Sequence, residues 1–561
     1  MLTALVLLAL AGEIVALQWA GGAFHSEWGY FCDEAAHYVS GLMVRDYVTS
    51  GEWSSPIEYA KQYYAHYPKI GLGNWPPLFY AAQAAWGLLF SHEKLSTVLF
   101  AGVQTWLLAT VLYLALRRYY GWVPALCMAG VFVAIPLVQQ LSGVVMADVM
   151  VALFCFGAML CFVTYLESGR WRWSVGFGVV ASLAVLTKGT GVLLGFLPVY
   201  FILLSGDYHR LRQPSFYAPL GVVLLCCGPW YYFTLGIASQ SWTRDGWSTA
   251  YASDTLSLFG ESLLVHLGPV LLALAAFGLV GAVARRRAEG SRRCLDLCAV
   301  SLILSLLCLH LVVPNGPVER FLIPAIPAVL VLAASGCESL VARFSLSEPR
   351  KTTIRAGVML VVAGLFMVQA FYVPAQQNYG FGSVVETLHE KGELTDSVVL
   401  VSSDVRGEGM LIGEVARLDH QAKRCFVLRA SKALAVSSWD SKQKLRVLYE
   451  TPEEICRYLD NVPVDFVVLD DSIPKSEADL RQQAQLLAAV ESRTDSWRLI
   501  GTFDRQDGAF DRRPASASYF PDAIRVYGRV GRVRGGGKEI RVDMRETLGG
   551  DIVVKVPPDP R

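Results

Sequence analysis

Two adjacent carboxylates, Asp33 and Glu34, stand just past the first hydrophobic stretch of the chain, at the mouth of a long polar loop rich in aromatic residues. Two like charges side by side at a membrane surface cost solvation free energy, so they are expected to serve a purpose there. A carboxylate so placed can take the proton from an attacking hydroxyl, which is general-base chemistry. His37 follows Asp33 by four residues, on the same face of a helix, and the two together are spaced to share a divalent metal. Departing anionic groups need cations. Arg, Lys or a metal ion can supply them.

The elements that must hold these residues are mostly membrane helices. The 561 residues are 53% hydrophobic and 17% charged, with a mean hydropathy of +0.40. A soluble globular surface needs about a quarter charged residues, so that class is excluded for most of the chain. Hydrophobic stretches lie at 2–20, 95–116, 121–141, 146–166, 173–187, 190–204, 215–236, 260–283, 296–313, 320–341 and 355–374. Most approach the ~20 residues that cross a ~30 Å hydrocarbon core. With the N-terminus in the cytoplasm, Arg117-Arg118, Arg170 and Arg172, Arg210 and Arg212, Arg285–Arg287 with Arg292-Arg293, and Arg343, Arg350 and Lys351 all fall on the cytoplasmic side. This predicts about eleven transmembrane helices. Residues 77–91 are apolar but too short to cross and read as an interfacial helix. The first stretch has neither a basic leader nor a clear cleavage site, and reads as a retained anchor.

The organisation expected is therefore a membrane domain over 1–375, including a first outer loop at 22–94, and a soluble α/β domain over 376–561 outside the cytoplasm. In that second domain, strand-like runs fall at 397–402, 425–429, 445–449, 464–469 and 497–503, with helical stretches at 452–460 and 475–492. The last thirty or so residues, rich in Gly, Arg and Val, read as a loosely ordered tail. No GxGxxG or Walker loop is present, so nucleotide binding has no support. Cys425 and Cys456 either pair as a disulfide or stay as two thiols; no zinc spacing occurs.

Several residues carry two readings each. Asp148 can cap a span or meet substrate. Lys188 can snorkel to the interface or bind an anion. Arg320 faces the outside, against the usual basic bias, and that favours function. The Trp and Tyr residues of the first loop can hold sugar by stacking or anchor the loop at the interface.

Four separated segments, Asp33-Glu34-Ala35-Ala36-His37-Tyr38, Pro76-Pro77-Leu78-Phe79-Tyr80, Leu186-Thr187-Lys188-Gly189 and Arg320-Phe321-Leu322-Ile323-Pro324-Ala325, carry a resemblance, joined by Met146-Ala147-Asp148. In order and spacing they resemble the dolichyl-phosphate-mannose protein mannosyltransferase and aminoarabinose lipid A transferase group of the GT-C superfamily. The resemblance implies a polytopic α-helical membrane protein of GT-C type with a C-terminal soluble α/β domain. It implies an enzyme that moves a hexosyl or pentosyl unit from a polyprenyl-phosphate donor to an acceptor hydroxyl at the outer face. The acceptor would be protein, glycolipid or polysaccharide, with no nucleic acid involved, and the setting a bacterial inner or plasma membrane.

By that resemblance Asp33 is the base, and Glu34 positions the acceptor or a metal. Arg320, Lys188 and Lys69 hold the donor phosphate. His37, Asp148, Trp75 and Tyr80 position substrate. A divalent metal on Asp33 and His37 is the one cofactor allowed for. The chain departs from the group in two places. His37 stands where Tyr is more common, and Asn74-Trp75 stands where an acidic-basic pair is usual, which leaves Lys69 or His66 to supply the missing cation. The alternatives are a transporter or flippase, or a non-catalytic assembly subunit, for lipid-linked glycans. A transporter should carry charges at mid-membrane in broken helices, whereas the ionisable residues here gather at span ends.

Overall fold

The computed structural model describes residues 2–51, 53, 55–71, 73–242, 246–284, 291–436, 446–471, 481–504, 523–531, 539–542 and 552–555. Arg285–Arg287, residue 445 and residues 475–480 of the sequence reading lie outside them. The helices begin with α1 (Leu2–Ala20), α2 (Glu34–Ser50), α3 (Pro56–His66), α4 (Leu78–Leu89) and α5 (Lys94–Tyr120). They continue with α6 (Trp122–Ala134), α7 (Pro136–Ser142), α8 (Asp148–Ser168), α9 (Trp171–Thr187) and α10 (Leu197–Ser205). Then come α11 (Pro214–Trp242), α12 (Thr249–Ala284), α13 (Ser291–Val312), α14 (Ile326–Ala342) and α15 (Glu348–Ala370). Short 3-10 turns at Gly189–Gly195 and Glu319–Ala325 lead into α10 and α14.

After α16 (Phe381–Glu390), strands and helices alternate: β1 (Val398–Ser402), α17 (Val405–Asp419), β2 (Phe426–Arg429), α18 (Ala430–Ala433), β3 (Ala435–Val436) and β4 (Arg446–Val447). The remainder is α19 (Pro452–Asn461), β5 (Phe466–Asp470), α20 (Arg481–Ser492), β6 (Trp497–Asp504), β7 (Ala523–Arg529), β8 (Glu539–Val542) and β9 (Ile552–Lys555).

The chain divides into two compact units. The first is residues 1–21, 73–79 and 98–373; the second is 22–72, 80–97 and 374–561. A boundary thus falls near residue 375, where the sequence placed one, but most of the first long loop folds with the C-terminal region.

In the first unit, eight helices of the described residues are long and apolar enough to cross a membrane, and α6 with α7, bent by 67°, add a ninth only if the pair is one broken span. The stretches expected at 173–187 and 190–204 are apolar helices too short to meet the same standard, Trp171–Thr187 and Gly189–Ser205. Close packing sets the cores of these helices. A methyl group at Gly278 of α12 would run into the Leu332 carbonyl of α14, and one at Gly336 of α14 into the Leu274 carbonyl of α12. Without side chains the two backbones meet directly, the small-residue contact that joins helices in lipid. Gln18 of α1, buried, spends its amide on the carbonyls of Val98 (3.0 Å) and Ser142 (2.7 Å), so no N–H is stranded. Helix α12 breaks at Gly268, whose φ of 67° precedes Pro269; the proline cannot donate to the ladder.

In the second unit a five-stranded sheet runs β2-β1-β5-β7-β6. Strands β2, β1 and β5 are parallel, and β7 pairs antiparallel with both β5 and β6. Every residue of β1 and β5 is buried, the continuous apolar run expected of strands covered on both faces. Leu400, Val467, Leu459, Leu486 and Trp497 belong to one core cluster. Helix α17 packs against α2 and α16. Glu27 of the first loop is buried and accepts from the backbone N–H of Tyr379 at 2.8 Å and of Gly382 at 2.5 Å, which fastens the loop to the start of α16. Burial pushes its carboxyl up to about 7. Strand β7 was not anticipated from the sequence. The expected tail contains the antiparallel pair β8–β9 among its described residues. Cys425 and Cys456 are free thiols, which settles the open pairing.

Candidate active site

The predicted residues form two clusters, one in each unit. In the second unit α2 starts where the sequence placed a helix. Asp33 precedes its first residue, with φ −92° and ψ −12°, and its carboxylate makes no capping bond to the helix. It is partly exposed, beside the Cys32 thiol at 3.7 Å. Glu34 differs. It is fully buried, one oxygen accepting from the Tyr30 N–H at 3.0 Å and the other 3.6 Å from the Lys94 ammonium. Lys94 itself sits 4.0 Å over the ring of Trp28 and donates to the Glu27 carbonyl at 3.2 Å. Adjacent in sequence, the two acids have different surroundings: Glu34 is enclosed by the loop that Lys94 closes.

His37 lies one turn on from Asp33 and is buried, its Nδ1 2.8 Å from the Tyr80 hydroxyl. The two rings stack at 5.7 Å. Burial, and then the nearby charge of Asp33, hold the Tyr80 phenol well above its ordinary value, so it remains a hydroxyl. Lys69 is buried and donates to the Val405 carbonyl at 3.1 Å. Burial, then Arg429, push its ammonium down to about 8, against the opposing pull of Glu408 and Asp33. Arg429 donates to buried Glu408 at 2.8 Å, and Ser431 adds its N–H at 2.9 Å and hydroxyl at 2.6 Å. His66, the other candidate cation, faces the Cys425 carbonyl at 2.9 Å, and burial lowers its imidazole below the ordinary value.

The aromatic residues of α3 divide differently from expectation. Tyr59, Tyr63 and Tyr67 are buried and form a core row, with ring centroids 6.0 and 5.0 Å apart. They line neither a lipid interface nor an open sugar platform. Trp53 and Ile57 are the exposed apolar side chains beside them.

In the first unit Asp148 begins α8. Ala147 holds the cap position, and the Asp148 carboxylate is buried. One of its oxygens is 2.7 Å from the Lys188 ammonium, so sequence residues forty apart meet as an ion pair. Lys188 follows α9 and is 5.1 Å over the Phe321 ring. It therefore points inward and does not snorkel. His310 stacks on Phe321, its ring 4.7 Å away at an interplanar angle of 14°. Arg320, partly buried, belongs to the 3-10 turn that carries Phe321. Its neighbour Glu319 is held by His266 of α12 at 3.0 Å. Trp75 is partly buried in the segment before α4.

Sequence reading missed Lys94, Glu408, Arg429, His310 and the His266–Glu319 bond. Lys94 was accessible by the argument used for Arg320, since it too is basic at the outer end of a predicted span. The others come from distant segments and left no local signal. As for a metal, His37 spends Nδ1 on Tyr80, and among the described residues no three His, Cys, Asp or Glu side chains converge to hold an ion.

Residues 74–233 match the family model for dolichyl-phosphate-mannose-protein mannosyltransferase. No curated protein matches the chain. Among solved structures, the chain is similar to ArnT from Cupriavidus metallidurans in the apo state, at 15% identity and a TM-score of 0.56, covering 93% of this chain and 97% of that one. It is also similar to the Archaeoglobus fulgidus oligosaccharyltransferase tethered with an acceptor peptide (13% identity, TM-score 0.52, 93% and 76% covered). The same archaeal enzyme, AglB, in complex with an inhibitory peptide and a dolichol-phosphate gives 13% identity, a TM-score of 0.51, and 94% and 76% covered. Over residues 74–233 the chain is thus similar to that mannosyltransferase family, and over 93% of its length it shares the fold of ArnT and of the archaeal oligosaccharyltransferase.

Proposed function

We propose that the protein transfers one sugar from a polyprenyl-phosphate donor to an acceptor hydroxyl at the non-cytoplasmic face of its membrane, with Asp33 as the general base. The observation that carries this reading is the pair of acids at the start of α2: Glu34 is enclosed by Tyr30 and Lys94, and Asp33 beside it is partly exposed. A base must meet the incoming hydroxyl, and of the two only Asp33 has solvent access. The family match over 74–233 supports a lipid-linked donor, as does similarity to an archaeal enzyme solved with a dolichol-phosphate.

In this mechanism the acceptor oxygen attacks the anomeric carbon as the bond from that carbon to the donor phosphate breaks. Asp33 takes the hydroxyl proton, and the electron pair leaves on the phosphate oxygen. A single displacement inverts the anomeric centre. Arg320, Lys188 and Lys69 supply positive charge to the leaving phosphate. Asp148 holds the Lys188 ammonium in place at 2.7 Å. His37 and Tyr80 brace each other one turn along from the base. Trp75 presents an aromatic face for the sugar. Glu34 acts by shaping the loop, a positioning residue joined to Lys94. The C-terminal α/β region is assigned to the outer side with the acceptor, on the strength of the basic loops.

Mass spectrometry of membrane glycans and glycoproteins from cells with the wild-type protein, without it, and with Asp33→Asn tests the reading. A glycan that is present with wild type and lost in both other strains is expected, with Asp33→Asn still inserted in the membrane. An unchanged glycan profile in the Asp33→Asn strain overturns it.

A further inference from the structure

Helix α2, which begins just after Asp33, is fixed near its far end by groups that the transfer reading does not use. Asp46 is buried, and its two carboxylate oxygens lie 3.0 and 2.9 Å from Nδ1 of His420, the residue that follows α17. Tyr63 of α3 donates to the same carboxylate at 3.0 Å, and Arg45 pairs with it at 3.1 Å. Bonding to a carboxylate places the hydrogen on His420 Nδ1 and leaves Nε2 as an acceptor. That Nε2 lies 3.2 Å from Nε2 of His92, in the segment joining α4 to α5. Two imidazole nitrogens this close need one hydrogen between them, so His92 donates. Glu93 is 3.5 Å from His92 Nε2, and Arg417 of α17 holds Glu93 at 3.2 Å. Asp419, next to His420, accepts from Tyr67 at 2.9 Å.

We propose that His92, His420 and Asp46 form an acid-released latch that positions helix α2 against α17. A first added proton settles on His92 Nδ1 and leaves the shared hydrogen in place. A second has only His420 Nε2 to occupy, where two N–H groups would face each other at the distance of one hydrogen bond, and the pair must part. Burial, then His420 and Arg45, push the His92 imidazole below its ordinary value, opposed by Glu93 and Asp46. A depressed folded-state value means that the docked form favours neutral His92. Docking is therefore strongest above the ordinary value of about 6.5 and weakens as pH falls through the depressed one, before the second proton parts the pair. That α2 carries a catalytic base rests on the reading above; the latch does not.

Hydrogen exchange of the full-length protein in lipid nanodiscs, followed by mass spectrometry from about pH 7.5 to about pH 5 and corrected for intrinsic rates, tests the latch. Wild-type peptides from the end of α2 and from α17 should lose protection several-fold in acid. His92→Gln, whose amide donates at every pH, should keep protection constant, and His420→Gln, which breaks the bond at Asp46, should be less protected throughout. Equal wild-type protection at both ends of the range, or an acid response retained in His92→Gln, overturns the latch. In a parallel transfer assay, wild type should slow in acid more than His92→Gln does. Absence of transfer at every pH with the exchange response intact would overturn the functional reading and leave the latch standing.

Discussion

Helices α2 and α8 both start at acids, and the acids are held differently. At α8 the buried Asp148 is neutralised by Lys188 at 2.7 Å. At α2 the burden is divided: Glu34 is buried against Lys94, and Asp33, one residue earlier, stays partly exposed. A buried acid with a matched cation is a structural unit, because removing either partner strands a charge. An acid that water reaches can exchange protons with a substrate. The lesson is that an acidic pair read from sequence need not act as a pair. Burial separates residues that the one-dimensional motif treats alike.

The largest effect expected lies within that acidic pair. Asp33→Asn should lower the rate constant for transfer by about 10²–10⁴-fold, the range for loss of a general base. Glu34→Gln should chiefly lower thermal stability and leave a measurable rate. Purified protein assayed for turnover and melting separates the two, and equal losses of turnover at equal stability would break the distinction.

Next comes the α8 pair. Lys188→Ala leaves Asp148 buried without its matched cation, at a cost of about 3–5 kcal/mol, read as a lower unfolding temperature in detergent. Adding Asp148→Leu should restore most of the stability and none of the transfer. Recovery of transfer would reduce the pair to a scaffold.

Lys69 gives a smaller, pH-dependent effect. Its ammonium is held down at about 8, so it loses charge as pH rises through that value. Because the charged form is disfavoured in the fold, this group makes the protein more stable as pH rises from about 8 toward the ordinary lysine value of about 10.4, while any phosphate affinity it provides declines. The KM for a polyprenyl-phosphate sugar should therefore rise above about pH 8 in wild type and stay level in Lys69→Arg, whose charge persists. A level profile in both removes Lys69 from the donor site. Smallest is His266→Gln, which loosens the Glu319 anchor beside Arg320 and should cost about 1 kcal/mol with a slight rise in KM.

Local signals in the sequence carried the long apolar helices and the parallel strands. Continuous apolar runs marked β1 and β5, and the start of α2 at Asp33-Glu34 followed from helical spacing. Strand β7 (AIRVYGR) was hidden because Arg525 and Gly528 interrupt its apolar pattern, and it forms by pairing with β5 and β6, which no local signal reports. The joining of the first loop to the C-terminal region was equally silent, since Glu27 and the Tyr379 N–H are 352 residues apart. The tyrosines of α3 misled for a related reason. Tyrosine suits both an interface and a buried hydroxyl with an acidic partner, and Tyr63 and Tyr67 found Asp46 and Asp419. In the candidate site, residue types were legible from sequence, and the Asp148–Lys188 and His37–Tyr80 partnerships were not.

The account stands on Asp33 and Arg320 acting from the same side of the membrane. Cys32 is an exposed thiol beside Asp33, and Glu319→Cys supplies a partner position beside Arg320. Labelling these two sites in right-side-out cells with a membrane-impermeant thiol reagent, the other accessible cysteines being replaced by serine, measures the claim directly. Both sites should label from outside; labelling of one from outside and the other only after the membrane is opened would contradict it.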